Sequence, residues 1–308
     1  MKQRTVRSQL VFEGKGLHTG KVARMTVNPA PAGYGIKFRR VDLGEDAVIE
    51  ALAENVSSTA RSTTISCGEA SVSTVEHLLS ALTGMGVDNA RIDIDNVEVP
   101  ILDGSAAPYT AAIARDGLQE QDAERVYLEI PEALEYRDDS KDILIRVEPA
   151  DAPSFDNLID FNSKVVGVQT AHWDESVDYA SQIGCCKTFC FFHELEFLYQ
   201  NNLVKGGDVD NALVIVEHPV SDEQVARISS LFGVPALKVS DNGYLSNVEL
   251  HYPNECARHK LLDIMGDFRL TGGFLKARVT ARKSGHRTNT EAAKLIRSVL
   301  MERNADKQ

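Results

Sequence analysis

Apolar and polar positions alternate along the chain at two periods, and the changes between them lay out the elements. Residues 4–13 alternate loosely at the strand period and run into the turn Gly14-Lys15-Gly16-Leu17-His18-Thr19-Gly20. Short strands are expected at 22–28, 35–40 and 47–52, punctuated by Pro29, Pro31, Gly33 and Gly35. The period then becomes helical. Val75, Leu78, Leu79 and Leu82 form one apolar face, Ser73 and Glu76 have the spacing of a capping box, and Gly84 and Gly86 supply the stop. A strand over 90–95, the turn Leu102-Asp103-Gly104-Ser105 and a helix over about 106–116 follow.

From residue 125 the pattern restarts, with strands expected near 125–130, 133–137 and 142–148. The region 185–216 reads as a Phe-rich strand, a helix through 194–200, a turn at Lys205-Gly206-Gly207-Asp208 and a strand over 212–216. A helix over 222–232 leads to a strand near 247–251. Asn254 then reads as the cap of a helix whose buried stripe is Leu261, Leu262, Ile264 and Met265, its side-chain oxygen taking an orphan backbone N–H. A strand over 276–281, the turn Ser284-Gly285-His286 and a helix over about 288–302 complete the chain.

Thirty residues separate Ser73 from Asp103, and thirty again separate Asn254 from Ser284. The same order of strands, helix, strand, turn and helix recurs in both halves. This predicts an α+β fold of two similar two-layer α/β sandwich domains, a duplicated unit packed through its helical faces. The expected domains are 1–122 and 123–308, the second with an insert around 189–216. Polar positions at the helix starts would then meet in a cleft at the domain boundary.

Composition narrows the class. The chain is 43% apolar and 25% charged, as in a soluble globular protein, and its net charge of −12 argues against a nucleic-acid partner. No window approaches the roughly 20 apolar residues of a spanning helix, and the basic start Met1-Lys2-Gln3-Arg4 precedes no signal-like apolar segment. A cytoplasmic protein, and a monomer, is expected. Five cysteines (Cys67, Cys185, Cys186, Cys190, Cys256) lack framework spacing and read as reduced thiols rather than a metal site.

Four-residue steps align His259, Asp263 and Asp267 on one helix face. An imidazole and a carboxylate at i, i+4 form half of a zinc site; a solvated polar face is the alternative. Glu76-His77 could supply a third ligand and a carboxylate base, or simply a cap and a surface residue. His286 stands in a turn from which it could give up a proton, and the Thr188 hydroxyl could meet an oxyanion or belong to an ordinary strand.

Taken together, Gly16-Leu17-His18-Thr19-Gly20, Ser73-Thr74-Val75-Glu76-His77, Pro100-Ile101-Leu102-Asp103-Gly104-Ser105-Ala106, Lys187-Thr188-Phe189, Lys205-Gly206-Gly207, Arg258-His259-Lys260-x-x-Asp263-x-x-Gly266-Asp267 and Lys283-Ser284-Gly285-His286 resemble the UDP-3-O-acyl-N-acetylglucosamine deacetylases of lipid A synthesis. The resemblance implies one catalytic zinc held by His77, His259 and Asp263, and hydrolysis of the acetamide on a UDP-linked acylated glucosamine. It implies Glu76 as general base, His286 as general acid oriented by Asp267, and Thr188 at the oxyanion. It implies Phe161, Phe191, Lys260 and Lys283 in nucleotide or substrate contact. Lys187 stands where the family more often has Arg, and Lys lacks the bidentate fork. The stretch Ser57-Ser58-Thr59-Ala60-Arg61-Ser62-Thr63-Thr64 is more polar than an acyl passage suggests. The Phe-rich segment 189–197, with Leu198 and Leu203, is the candidate acyl groove, with a plain core as the alternative. Some relatives carry a fused dehydratase domain, for which a chain ending at Gln308 is expected to have no room. A peptide-directed zinc amidase and a non-catalytic binding protein remain as rival readings.

Overall fold

The computed structural model describes residues 1–195, 206–208 and 210–305. Its frame is two five-stranded mixed sheets. Across the first, the strands run Leu10–Lys15, Val22–Pro29, Ala90–Ile94, Ile36–Arg40, Val48–Glu50; across the second, Leu134–Asp138, Ile143–Pro149, Ala277–Arg282, Ser154–Asp160, Val168–Asp174. In each sheet the last strand in sequence is the central one. It pairs antiparallel with the second and parallel with the third, so Ile92 faces Phe38 and Val279 faces Phe155. The shared order and sense are compatible with a duplicated α+β unit. Strict alternation buries one face of each sheet: Ala90, Ile92 and Ile94 in the first, and Ala277, Val279 and Ala281 in the second.

Helix α1 (Glu76–Gly84) precedes the central strand of the first sheet, and α2 (Ala107–Asp116) follows it. In the second half, α3 (Asp222–Phe232) follows the insert and packs against it, α4 (Glu255–Arg269) precedes the central strand and α5 (His286–Ala305) follows it. Every residue of α4 from Leu261 to Arg269 is buried, which rules out a solvated face for the stripe of His259, Asp263 and Asp267. The close approach of α1 and α4 depends on Gly266, where a Cβ would lie 2.1 Å from the Glu76 carbonyl oxygen.

Several expectations are corrected. Ser73 does not cap α1; its hydroxyl donates to the Val97 carbonyl, and Thr74 turns the chain at φ 59°. Asn254 does precede α4, but its Oδ1 accepts from Arg258 and its Nδ2 donates to the Thr170 carbonyl. The capping box that forms is Ser221 with Gln224 on α3, which ends at Gly233 in the left-handed region. No strand forms over 247–251. Ser154–Asp160 and Val168–Asp174, and a three-stranded sheet of Val56–Ser58, Thr64–Cys67 and Ala70–Val72, were not anticipated.

Phe189–Phe191 pairs in parallel with Leu213–Ile215. Phe192, Leu195, Val214, Val216, Val225, Ile228 and Leu245 form a small core of their own. Residues Phe197, Leu198, Leu203 and Lys205, and most of the helix expected over 194–200, lie outside the described residues. Among the described residues, no helix is long and apolar enough to cross a membrane.

Candidate metal centre

Helices α1 and α4 bring His77 together with His259 and Asp263 although 182 residues (259 − 77) separate the two histidines. Each is buried, and one donor atom from each falls within 4.8 Å of the others. Asp263 Oδ1 lies 3.6 Å from His77 Nε2 and 3.5 Å from His259 Nε2. The His259 Nδ1 is 3.1 Å from the Cys186 carbonyl, which can only accept, so the proton sits on Nδ1 and the Nε2 lone pair faces the cluster. Burial pushes the His77 imidazole down to about 3 and also lowers His259. Both rings are therefore neutral at neutral pH, as ligands must be.

Burial would raise the Asp263 carboxyl, but the charges of Lys260 and His286 outweigh it and hold the group ionised. Its Oδ2 accepts from Lys260 Nζ at 2.9 Å, while Oδ1 is buried without a hydrogen-bond partner. An unsatisfied carboxylate oxygen between two neutral imidazoles fits a divalent cation, and the two-nitrogen, one-oxygen set suits zinc.

Glu76, next to His77, points along a different direction because adjacent helical residues diverge by about 100°. Its Oε2 accepts from the Thr63 backbone N–H at 3.0 Å, and its Oε1 lies 3.8 Å from His286 Nε2. Burial, with support from Asp267 and Asp263, raises the Glu76 carboxyl to about 7, against the charge of His286. His286 opens α5 and meets Asp267 Oδ2 through Nδ1 at 2.9 Å. Burial would lower this imidazole, but Asp267 and Glu76 prevail and hold it at about 9. A carboxyl and an imidazole with displaced proton affinities thus face one another beside the three-ligand cluster.

Asp267 is fully buried and accepts from Thr63 Oγ1 (2.6 Å) and Asn289 Nδ2 (2.8 Å) as well as from His286. Sequence reasoning missed both partners. Thr63 lay in the Ser/Thr-rich stretch noted only for its polarity, and Asn289 follows His286 by three residues on α5, spacing that could have marked it. Both helix starts that carry chemistry follow a residue in the left-handed region, Thr74 at φ 59° and Lys283 at φ 52°. Such backbone costs of order 1 kcal/mol and tends to collect at working sites.

The remaining candidates spread outward. Lys260 Nζ lies 5.7 Å from the Phe189 ring centroid, and that ring lies 6.2 Å from His259. Phe161, 41% exposed, meets Phe189 at 5.5 Å and Phe191 at 6.1 Å, so Phe161 and Phe191 join the centre through Phe189, the first residue of the Phe-rich segment. Lys283 is held by Asp160 (2.8 Å) and Asp142 (3.3 Å). Lys187 donates to the Asp103 carbonyl at 2.5 Å, a single bond that needs no guanidinium fork. The Thr188 N–H donates to the Gly104 carbonyl, and Thr188 lines a cavity of about 390 Å³ with Leu17, Phe189, Leu195, Val214 and Leu237.

The family model described as LpxC, UDP-3-O-acyl N-acetylglycosamine deacetylase, matches residues 3–232 and 234–298. A protein of Porphyromonas gingivalis named bifunctional enzyme LpxC/FabZ is 43% identical over 304 residues, covering 99% of this chain and 66% of that protein. A UDP-3-O-acyl-N-acetylglucosamine deacetylase of Anaeromyxobacter sp. (strain Fw109-5) is 39% identical over 301 residues, covering 97% of this chain and 88% of that one. Another, from Thioalkalivibrio sulfidiphilus, is 36% identical over 308 residues, covering 99% and 92%. The chain spans 64–66% of the length of the bifunctional relatives it matches. With matched segments running almost from end to end, the chain belongs to the LpxC family of UDP-3-O-acyl-N-acetylglucosamine deacetylases.

Proposed function

We propose that this protein hydrolyses the N-acetyl group of a UDP-linked, 3-O-acylated N-acetylglucosamine, releasing acetate and a free amine in lipid A biosynthesis, with one zinc held by His77, His259 and Asp263. The observation that carries the reading is the unpartnered Asp263 Oδ1 between two imidazole Nε2 atoms, beside the Glu76–His286 pair. Bound zinc would supply Lewis acidity at the carbonyl and a more acidic water.

Glu76 accepts the proton of the water that adds to the acetamide carbon. The Thr188 hydroxyl donates to the developing oxyanion, worth roughly 3 kcal/mol for one well-placed donor. His286, protonated and oriented by Asp267, delivers the Nε2 proton to the amine nitrogen as the C–N bond breaks. Lys260, Lys283, Phe161 and Phe191 receive the nucleotide and sugar; the exposure of Phe161 supports this. The acyl chain enters the cavity beside Thr188, whose apolar walls, Leu195 among them, support it, whereas Phe192 serves the insert core. The protein works in the cytoplasm as a monomer, its sandwich units divided at 122/123; free cysteines support a reducing compartment.

Metal content measured together with acetate release from the UDP-lipid tests the reading. Glu76→Gln should retain zinc and lose at least about a hundredfold in turnover, and His259→Ala should lose the metal. Full zinc occupancy in His259→Ala, or undiminished turnover in Glu76→Gln, would refute it. Cleavage of peptide amides in preference to the UDP-lipid would point to a different zinc amidase.

A further inference from the structure

A second cavity, of about 580 Å³, shares no residue with the metal centre. It lies at the opposite ends of the same two helices, touching Gly84 of α1 and Met265, Phe268 and Arg269 of α4. From His77 to Gly84 is about 10 Å along the helix axis. Three arginines line it: Arg4, Arg125 and Arg269.

Their charge is only partly answered. Asp88 Oδ1 accepts from Arg125 Nε, and its Oδ2 from Arg125 Nη2 and the Arg4 backbone N–H. Carbonyls at the end of α1 take further donors: Gly86 from Arg125, and Val87 and Asp88 from Arg269. Arg269, 3% exposed, still has an Nη1 without a partner, and Arg4 Nε and Trp173 Nε1 are likewise buried and unpartnered. Among the described residues, the Arg4 side chain has neither a hydrogen bond nor an ion pair. Gly86, at φ 73°, makes room for it, since a Cβ there would lie 2.1 Å from Arg4 Nη2. The two acids of the lining, Glu175 and Asp178, are exposed, and Asp178 is engaged by Ser181. Buried donors are nearly always satisfied, so the half-buried, unpartnered Arg4 side chain, with unpartnered N–H groups on two further residues of the same wall, Trp173 and Arg269, indicates a site for an acceptor.

The walls say what kind. Arg125 and Arg269 both stack on the Phe274 ring, at 3.8 and 4.4 Å, and Trp173, Phe155 and Phe268 extend the apolar surface. We propose that this cavity binds a small anion with a phosphate head and an apolar body, the head on Arg4 and Arg269 and the body against Trp173 and Phe274. Guanidinium forks suit phosphate oxygens, and 580 Å³ is well beyond the needs of a bare ion.

Trp173 is the only tryptophan in the chain, so its emission reports on this cavity directly. In the full-length, metal-loaded protein, phenyl phosphate should change that emission saturably, inorganic phosphate should compete, and benzyl alcohol should do neither. Arg4→Gln should weaken the response at least tenfold, and His259→Ala should leave it unchanged. Unaltered emission up to about 10 mM phenyl phosphate overturns the proposal, as does an undiminished response in Arg4→Gln or one abolished in His259→Ala. Should Arg4→Gln fail to fold, competition by inorganic phosphate in the unmodified protein decides: without it, the apolar walls alone bind and the proposal fails.

Discussion

The contact of Gly266 with the Glu76 backbone sets up a sharp test, because two physical effects oppose one another there. In a helix interior, Gly→Ala is intrinsically stabilising by about 1 kcal/mol. Here the new Cβ would stand 2.1 Å from the Glu76 carbonyl oxygen, whereas a relaxed C···O approach is about 3.3 Å. The difference, about 1.2 Å, falls on backbone and cannot be absorbed by a rotamer change. Overpacking of a buried contact costs about 1–3 kcal/mol, so the net expectation for Gly266→Ala is a destabilisation of up to about 2 kcal/mol. The larger effect is on chemistry. Parting α1 from α4 by about 1 Å displaces Glu76 and His77 from His259 and Asp263, and misplacement on that scale costs about a hundredfold in rate. Thermal unfolding and acetate release measured on one preparation should therefore show a small fall in Tm beside a large fall in kcat, with weaker zinc retention. An unchanged or raised Tm with full activity would mean that the helix–helix contact yields easily, and the reasoning would be wrong.

The pH profile should be a bell. Activity rises as Glu76 loses its proton near 7 and falls as His286 loses its proton near 9, and a bound cation moves both limbs to lower pH because it favours the deprotonated forms. Asp267→Asn removes the charge that holds His286 up, so the alkaline limb should shift further down; a fixed limb would deny Asp267 its orienting role. Thr63→Val deletes the hydroxyl bond to Asp267 but keeps the N–H bond to Glu76. It should cost about 1.5–3 kcal/mol, read as a Tm loss of a few degrees, and a Tm equal to the parent's would show that Asp267 finds another partner.

Apolar periodicity made α1, α4 and the central strands legible because their buried stripes are simple: Leu78, Leu79 and Leu82, or Ile92 and Ile94. Ser154–Asp160 was missed although Phe155, Asn157 and Ile159 alternate inward. The buried member at the middle is polar, and its donation to the Ala257 carbonyl of α4 is a tertiary fact that no strand pattern announces. The caps failed for a related reason. Glu76 has the capping-box spacing, yet its carboxylate is turned to Thr63 and His286, so the local rule loses to the site. The residues that converge were legible as separate half-motifs, whereas Thr63 and Asn289 were not, because their role lies wholly in what they hold.

His77 stands on α1 while His259 and Asp263 stand on α4, so the donor set exists only while those helices touch. Any fluctuation that opens this seam disperses the donors without requiring the whole molecule to unfold. Susceptibility to a competing chelator is thus also a gauge of how often the protein breathes between its halves.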